Sequence, residues 1–184
     1  MHWLESYPWI AGNLRITRAA LTEVERLAKV GYAKDEEVCG YLAGPAGDAL
    51  LCDRAEPIEN MARVLHERDP VGFFRTARTF FAFHARTLER AMAAGESAGS
   101  PVKVLDHSHL DATAALSGTD AAVLSGGIAP SFAGGPATLG AGPQWPLAFM
   151  VTSVLGGSSE PRVDDHKLYV WGRGGFVAST FDVI

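Results

Sequence analysis

Two histidines and one aspartate in the second half of the chain have the types and spacing of a metal site. His107 and His109 stand two residues apart, and Asp120 follows eleven residues later. On a β-strand, residues two apart point to the same face, so the two imidazoles can share one ion. A catalytic zinc ion is held by three protein ligands and a water molecule. The pattern therefore predicts one Zn²⁺ per chain, bound by His107, His109 and Asp120.

Each part of this pattern also has a plainer interpretation. A histidine pair at a strand end is frequently no more than a polar surface feature. Ser117, followed by Asp120 three residues later, fits a capping box at the start of a helix. The complete spacing of H-x-H, seven residues, S, two residues and D is much rarer than either part. It favours the metal site over both plainer interpretations.

The elements around the motif must bring its residues together from separate parts of the chain. Residues 102–105 are apolar and predict a buried strand that delivers the H-S-H triplet at its end. A helix beginning near Ser117 then returns Asp120 to the metal. Upstream, residues 37–44 and 49–54 predict a hairpin-like pair of strands.

Two amphipathic helices are predicted in the first half of the chain. The first covers residues 17–32, with Thr17 as its N-cap. The second begins at Asp69 and Pro70 and is long, because an apolar stripe at helical spacing continues to residue 92. The stripe consists of Phe73, Ala77, Phe80, Phe81, His84, Leu88 and Met92. This prediction places His84 in helix packing and not in a metal site.

The last third of the chain combines a long loop with further strands. Residues 125–146 are rich in Gly, Ala and Pro and nearly free of charge, and they predict an insertion loop that is either a mobile flap or disordered. Residues 147–155, 167–171 and 175–180 predict strands, the last two joined by a tight turn. The chain, residues 1–184, is interpreted as one domain.

The composition narrows the classes of partner. The net charge is −5, and no basic stripe is present. Because nucleic-acid binding depends largely on clustered Lys and Arg, no nucleic-acid partner is expected. No apolar run approaches the roughly 20 residues of a membrane helix, and the N-terminus does not resemble a secretory signal. We therefore expect a cytoplasmic protein without membrane association, with Cys39 and Cys52 reduced. The oligomeric state stays open.

With these residues in view, the chain resembles the JAMM (MPN+) zinc metallopeptidases of the prokaryotic type. The family motif is an upstream Glu followed by the same H-x-H, S, D spacing. The run EEVCGYLAG resembles the family strand in which Glu stands two residues before a Cys-Gly pair, which selects Glu37 over Glu36 as the catalytic acid/base. Asn60 also resembles prokaryotic members. The resemblance covers about residues 16–180. It implies an α/β single domain, with a mixed β-sheet flanked by helices around a cytidine-deaminase-like core.

The resemblance also implies a role for each motif residue. Glu37 would take a proton from the metal-bound water and give it to the departing amine. Ser117 would stabilise the oxyanion that forms in the transition state. Ser108, on the opposite strand face, would support the site. Leu110 stands where the family usually has Pro after H-S-H, so the sequence leaves the geometry of the following loop open.

The substrate implied by the resemblance is a peptide or isopeptide bond after the C-terminal Gly-Gly of a ubiquitin-like or sulfur-carrier protein. An extended glycine tail can add along a strand edge through main-chain hydrogen bonds. Two other functions are open at this point. One is a zinc hydrolase of a small amide, and the other is a non-catalytic scaffold that only binds partners. The presence of every motif residue argues against the scaffold.

Overall fold

The computed structural model describes residues 3–157 and 160–184 as a mixed α/β single domain with sheets flanked by helices. The helices are α1 (Trp3–Ser6), α2 (Arg18–Ala33), α3 (Ala62–Arg68), α4 (Ala85–Ser97) and α5 (Gly118–Leu124). The strands are β1 (Leu14–Ile16), β2 (Cys39–Ala43), β3 (Leu51–Cys52), β4 (Arg54–Ile58), β5 (Val102–Leu110), β6 (Ala148–Leu155), β7 (Arg162–Trp171), β8 (Phe176–Ser179) and β9 (Phe181–Val183). Among the described residues, no helix combines the length and apolarity needed to cross a membrane.

A six-stranded sheet forms the centre of the domain, in the order β4-β2-β5-β6-β7-β8. Its central pair, β5 and β6, is parallel, and the other neighbours are antiparallel. A smaller sheet, β3-β1-β9, is parallel throughout. Strand β5 is therefore hydrogen-bonded on both sides, which gives the residues that it carries a rigid backbone.

Alternating residues of the central strands feed two apolar clusters. Val104 and Met150 pack in the first cluster with Leu21 of α2, whereas Leu105 and Phe149 pack in the second, which also contains Leu88 of α4 and Leu124 of α5. Because neighbouring strand residues point to opposite faces, α2 covers one face of the sheet and α4 and α5 cover the other. His107 and His109 share the parity of Leu105, and they consequently face the side of α4 and α5.

The long helix predicted from residue 69 to residue 92 is wrong in its first part. Residues 69–84 contain turns, bends and irregular backbone, and α4 begins only at Ala85. The backbone of this segment pairs with other parts of the chain instead of with itself: the N–H of Glu37 donates to Ala77 O (2.7 Å), and the N–H of Met61 donates to Ala82 O (2.7 Å). His84, predicted to pack within the helix, is exposed.

The predicted pairing of residues 37–44 with residues 49–54 is wrong, because β2 pairs with β4 and β3 pairs with β1 in the smaller sheet. Three other predicted elements agree with the structure more closely. The first helix is present as α2, and Thr17 caps it by accepting the N–H of Ala20 (3.2 Å). Strand β5 extends beyond the predicted residue 105 and includes the whole H-S-H triplet and Leu110. Residues 125–146 contain no regular element beyond one bridge between Ile128 and Thr138. Strands β1 and β9 were not predicted, because three residues are too few for a periodic pattern.

Candidate metal centre

Strand β5 presents both histidines of the motif on one face. His107 and His109 are buried, with 2% and 8% of their surface exposed, and their Nε2 atoms lie 3.2 Å apart. The ring of His107 stacks on that of Phe81, with centroids 4.3 Å apart, so its orientation is fixed by packing. The backbone and a neighbouring aromatic ring thus hold the two imidazoles together.

Helix α5 brings Asp120 to the histidines through its N-terminal cap. Ser117 Oγ accepts the N–H of Asp120 (3.1 Å), and Asp120 Oδ2 accepts the N–H of Ser117 (3.0 Å), which is a complete capping box. The same Oδ2 atom lies 3.3 Å from His109 Nε2 and 3.5 Å from His107 Nε2. The carboxylate oxygen that caps the helix is therefore the same atom that is positioned to bind a metal with the two histidines.

The distances between these three atoms fit a tetrahedral ion. Zinc ligands at about 2.0 to 2.1 Å from the metal lie about 3.3 to 3.4 Å from one another at tetrahedral angles. The three separations here are 3.2, 3.3 and 3.5 Å, and all three residues are buried. The donor set of two imidazoles and one carboxylate leaves a fourth position for water, as in catalytic zinc sites.

The hydrogen bond on the far side of His109 determines which nitrogen can bind a metal. His109 Nδ1 lies 2.8 Å from the carbonyl oxygen of Thr113. A carbonyl only accepts, so Nδ1 carries a proton in either charge state. In the neutral ring the lone pair of Nε2 points towards His107 and Asp120, and in the protonated ring Nε2 donates to Asp120. A metal-binding histidine typically has such a partner on its other nitrogen. This contact was not predicted, since a backbone carbonyl leaves no signature in the sequence.

The charge state of Asp120 suits a metal ligand. Burial raises its pKa, but the charge of His107 and the hydrogen bonds from His107, His109 and Ser117 lower it, and the net pKa lies well below the ordinary value. Burial also opposes the charged form of His109, whereas its contacts with Asp120 and Thr113 raise its pKa overall. The site therefore favours the charged carboxylate form of Asp120.

Glu37 reaches the site from the end of β2. This strand pairs with β5 so that Cys39 stands opposite His107. Beyond the last paired residue, Val38 is held by Ser108, whose N–H donates to Val38 O and whose Oγ accepts the Val38 N–H, both at 2.9 Å. Position 40 requires glycine, because a Cβ atom there would lie 2.6 Å from Glu56 O. These contacts fix the backbone that follows Glu37, and its carboxyl group is near enough to Asp120 for the charge of Asp120 to raise its pKa.

The carboxyl group of Glu37 is buried without a fixed partner. Its exposed fraction is 5%, and Oε2 has no hydrogen-bond partner among the described residues. Burial and the negative charge of Asp120 raise its pKa to about 9, although the positive charge of Arg75 opposes this shift. Glu36, in contrast, forms an ion pair with Arg63 (2.8 Å) away from the cluster. An unpaired buried carboxyl group beside a ligand cluster is typical of an acid or base in a functional site.

Asn60 ties the Glu37 segment to the irregular segment of residues 69–84. Its side-chain Nδ2 donates to Glu37 O (2.8 Å) and to Phe80 O (3.2 Å), and its Oδ1 accepts the N–H of Ala82 (3.0 Å). The sequence marked Asn60 only by family resemblance. The structure gives it a positioning role for the backbone around Glu37.

Similarities to solved structures concern the fold alone. No protein-family model matches the sequence, and no curated protein matches it significantly. The solution structure of a Desulfitobacterium hafniense protein has a TM-score of 0.55 at 16% identity, over 93% of this chain and 92% of the other. That similarity shows a shared fold.

Two further structures are similar over most of the chain. One is a JAB1/MPN domain protein from Archaeoglobus fulgidus, with a TM-score of 0.46 and 13% identity over 93% of this chain and 99% of the other. The second is a Salinibacter ruber protein, with a TM-score of 0.48 and 18% identity over 93% of this chain and 92% of the other. At TM-scores below 0.5, these two similarities decide neither family nor activity.

Proposed function

We propose that this protein is a zinc-dependent hydrolase of the JAMM type that cleaves an amide bond. One observation carries the proposal: three ligand atoms of His107, His109 and Asp120 stand at tetrahedral spacing, with the unpaired carboxyl group of Glu37 buried beside them. A site built only for stability would not leave a buried carboxylate oxygen without a partner, because that arrangement is destabilising.

The division of roles follows from the positions of the side chains. When bound, zinc lowers the pKa of its water to about 7, which supplies a nucleophile at neutral pH. Glu37 accepts the proton of that water and transfers it to the nitrogen of the departing amine. The Oγ of Ser117 already accepts the N–H of Asp120, so its own proton is free to donate to an oxyanion. Such a donor acts on charge that develops in the transition state and raises the catalytic rate more than substrate affinity.

For the substrate, we propose a ubiquitin-like or sulfur-carrier protein cleaved directly after its C-terminal Gly-Gly. The support is the motif resemblance together with the glycine-rich, nearly uncharged residues 125–146, which lie beside α5 and can cover an extended tail. Glycine allows the substrate backbone to approach the metal closely. A small amide is the second candidate, since the same ligand set would also serve it.

Zinc content and cleavage products test this function together. We expect about one zinc per chain in protein purified without chelator, and loss of that zinc in His107→Ala with His109→Ala. Small Gly-Gly proteins carrying a C-terminal extension should be cut after the second glycine, as read by mass spectrometry. A bulky residue in place of the penultimate glycine should slow the cut strongly. Activity confined to small amides would transfer the proposal to that substrate, and a zinc-free, inactive protein would contradict it.

A further inference from the structure

The backbone of Glu37 is held on both sides by contacts with the irregular segment of residues 69–84. The N–H of Glu37 donates to Ala77 O (2.7 Å). The carbonyl oxygen of Glu37 accepts from Asn60 Nδ2 (2.8 Å), which also donates to Phe80 O (3.2 Å). The side chain lacks such support, because its Oε2 atom has no hydrogen-bond partner among the described residues. The position of the carboxyl group therefore depends on the backbone, and through the backbone on this segment.

The carbonyl group that accepts from Glu37 belongs to a tight turn. The N–H of Thr79 donates to Thr76 O (3.1 Å), so Ala77 and Arg78 are the two central residues of that turn. Ala77 is buried, whereas the side chain of Arg78 is 38% exposed. The carbonyl group of Ala77 is part of the peptide bond that joins these two residues. Whatever holds the side chain of Arg78 therefore also holds this carbonyl group.

The guanidinium group of Arg78 connects the turn to two other parts of the chain. Its Nη1 atom donates to Asp35 Oδ1, and its Nη2 atom donates to Asp111 Oδ2 (2.7 Å). Asp35 precedes Glu37 by two residues, and Asp111 follows the proposed ligand His109 by two residues. One side chain thus links the turn both to the stretch that carries Glu37 and to the end of the strand that carries the histidines.

Asp111 is itself held by the core of the domain. Its carboxylate accepts the hydroxyl proton of Tyr32 (2.9 Å to each oxygen) and the N–H of Gly156 (3.0 Å). Tyr32 belongs to α2, and Gly156 directly follows β6. Because both partners are independent of Arg78, loss of the guanidinium group would release the turn and leave its anchor in place.

We propose that Arg78 is a positioning residue for Glu37: it fixes the turn at Ala77 and thereby holds the backbone of Glu37, and with it the carboxyl group, in position for proton transfer. This inference rests on the proposed hydrolase function and deepens it. Displacement of a reacting group by about 1 Å can reduce a rate by about 100-fold, whereas an exposed ion pair contributes little to the free energy of unfolding. Loss of Arg78 should therefore affect catalysis much more than folding.

Steady-state kinetics on a small Gly-Gly protein with a C-terminal extension separate positioning from substrate binding. In Arg78→Gln, we expect kcat to fall about tenfold or more, whereas KM, zinc content and Tm should stay close to wild type. Arg78→Lys should recover part of kcat, because an ammonium group keeps the charge but lacks the two-pronged geometry of guanidinium. Arg26→Gln is the matched control, since Arg26 also forms an exposed ion pair, with Glu23, and it should behave as wild type.

The salt dependence of kcat distinguishes an ion pair that positions Glu37 from a side chain that only fills space. Salt screens exposed ion pairs. Between about 0.1 M and about 1 M NaCl, kcat of wild type and of Arg26→Gln should therefore fall more steeply than kcat of Arg78→Gln, which has already lost the contact. Equal salt dependence of wild type and Arg78→Gln would overturn the positioning role.

Hydrogen exchange tests the same contact without turnover. NMR should show that the Glu37 N–H, which Ala77 O protects, exchanges about tenfold or more faster in zinc-free Arg78→Gln than in zinc-free wild type. Exchange at Val104 in β5 should not change. Unchanged exchange of Glu37, or faster exchange with unchanged kcat, would overturn the role of Arg78 and leave the hydrolase intact. If zinc-loaded wild type hydrolysed neither Gly-Gly proteins nor small amides, the proposed function would fail, and faster exchange in Arg78→Gln would still support the anchoring of Glu37 by Arg78.

Discussion

At the scale of single residues, Asp120 shows how one oxygen atom can serve a helix and a metal. Its Oδ2 accepts the N–H of Ser117 and faces the Nε2 atoms of both histidines. A carboxylate oxygen has lone pairs for more than one partner, so neither contact excludes the other. From the sequence alone, the capping box and the ligand set looked like rival interpretations of the same residues. In the structure, both depend on the same oxygen atom of Asp120.

The separation between proton transfer and metal binding predicts the behaviour of Glu37. Glu37→Gln should retain about one zinc per chain yet lose hydrolysis by a factor of at least about 100, the range of general acid-base catalysis. Asp120→Ala should lose both zinc and activity. Metal analysis and initial rates measure these outcomes. Glu36→Gln is the control and should stay close to wild type, because Glu36 pairs with Arg63. Zinc loss in Glu37→Gln equal to that in Asp120→Ala would make Glu37 a ligand.

The raised pKa of Glu37 predicts a pH dependence in the metal-free protein. Between its ordinary value of 4.5 and about 9, the unfolded chain has released this proton while the folded chain retains it, so stability falls as the pH rises. The glutamine of Glu37→Gln cannot titrate. The free energy of unfolding of this variant, relative to that of wild type, should therefore increase from pH 5 to pH 9. Urea unfolding of chelator-treated protein measures the gap. Parallel curves for the two proteins would contradict the assignment, and zinc should shrink the gap because a cation favours the ionised carboxylate.

At the scale of elements, the cap of α5 and the cap of α2 form a natural comparison. Ser117 and Thr17 each accept a backbone N–H in the first turn of their helix, and loss of either hydroxyl should lower stability by about 1 kcal/mol. Only Ser117 also holds Asp120, the carboxylate of the proposed metal site. Ser117→Ala should therefore weaken zinc binding by roughly tenfold or more, as is typical when a ligand loses its supporting contact. Thr17→Ala should leave zinc affinity unchanged in competition with a chelating dye.

The sequence predicts an element well when its apolar residues recur with the period of the helix or strand that the backbone forms. Helix α2 and strand β6 have such patterns, and both are present. The apolar stripe of residues 69–92 predicted a helix from its beginning, but Asn60, Met61 and Glu37 take up the backbone hydrogen bonds of residues 77–82. Those partners are distant in the chain, so local periodicity does not register them. The same error placed Phe73 and Phe80 on a buried helix face, although Phe73 is exposed and Phe80 is only partly buried.

Leu110 illustrates the opposite case, in which a departure from the family pattern has a simple structural outcome. It pairs with Val154 and ends β5 as an ordinary strand residue. The chain then turns at Asp111, whose φ is +52°, and reaches Thr113, whose carbonyl contacts His109. The sequence predicted the ligand types and their spacing from the motif. It could not predict this loop, because the turn depends on the conformation of single residues.

At the scale of the whole molecule, the proposed metal joins parts of the chain that are otherwise held by separate contacts. His107 and His109 belong to the centre of the six-stranded sheet, whereas Asp120 belongs to a helix of seven residues. So short a helix has little stability of its own and depends on tertiary contacts. A bound ion would add one such contact between α5 and the sheet. Residues 125–146 follow α5 directly in the chain. Metal binding and folding should therefore be linked.

Zinc should accordingly raise the thermal stability of the protein in a concentration-dependent way. A ligand that binds only the folded state stabilises it by about 4 kcal/mol at 1,000 times its Kd, so the Tm should rise steadily with free zinc and fall after treatment with chelator. The Tm of the variant with His107→Ala and His109→Ala should not change with zinc or chelator. The Tm of His84→Ala, a substitution at an exposed position, should change with zinc as that of wild type does. Calorimetry at buffered zinc concentrations makes the measurement. If wild type and the double variant respond alike, zinc binds elsewhere or binds the unfolded chain equally, and the ion does not connect α5 to the sheet.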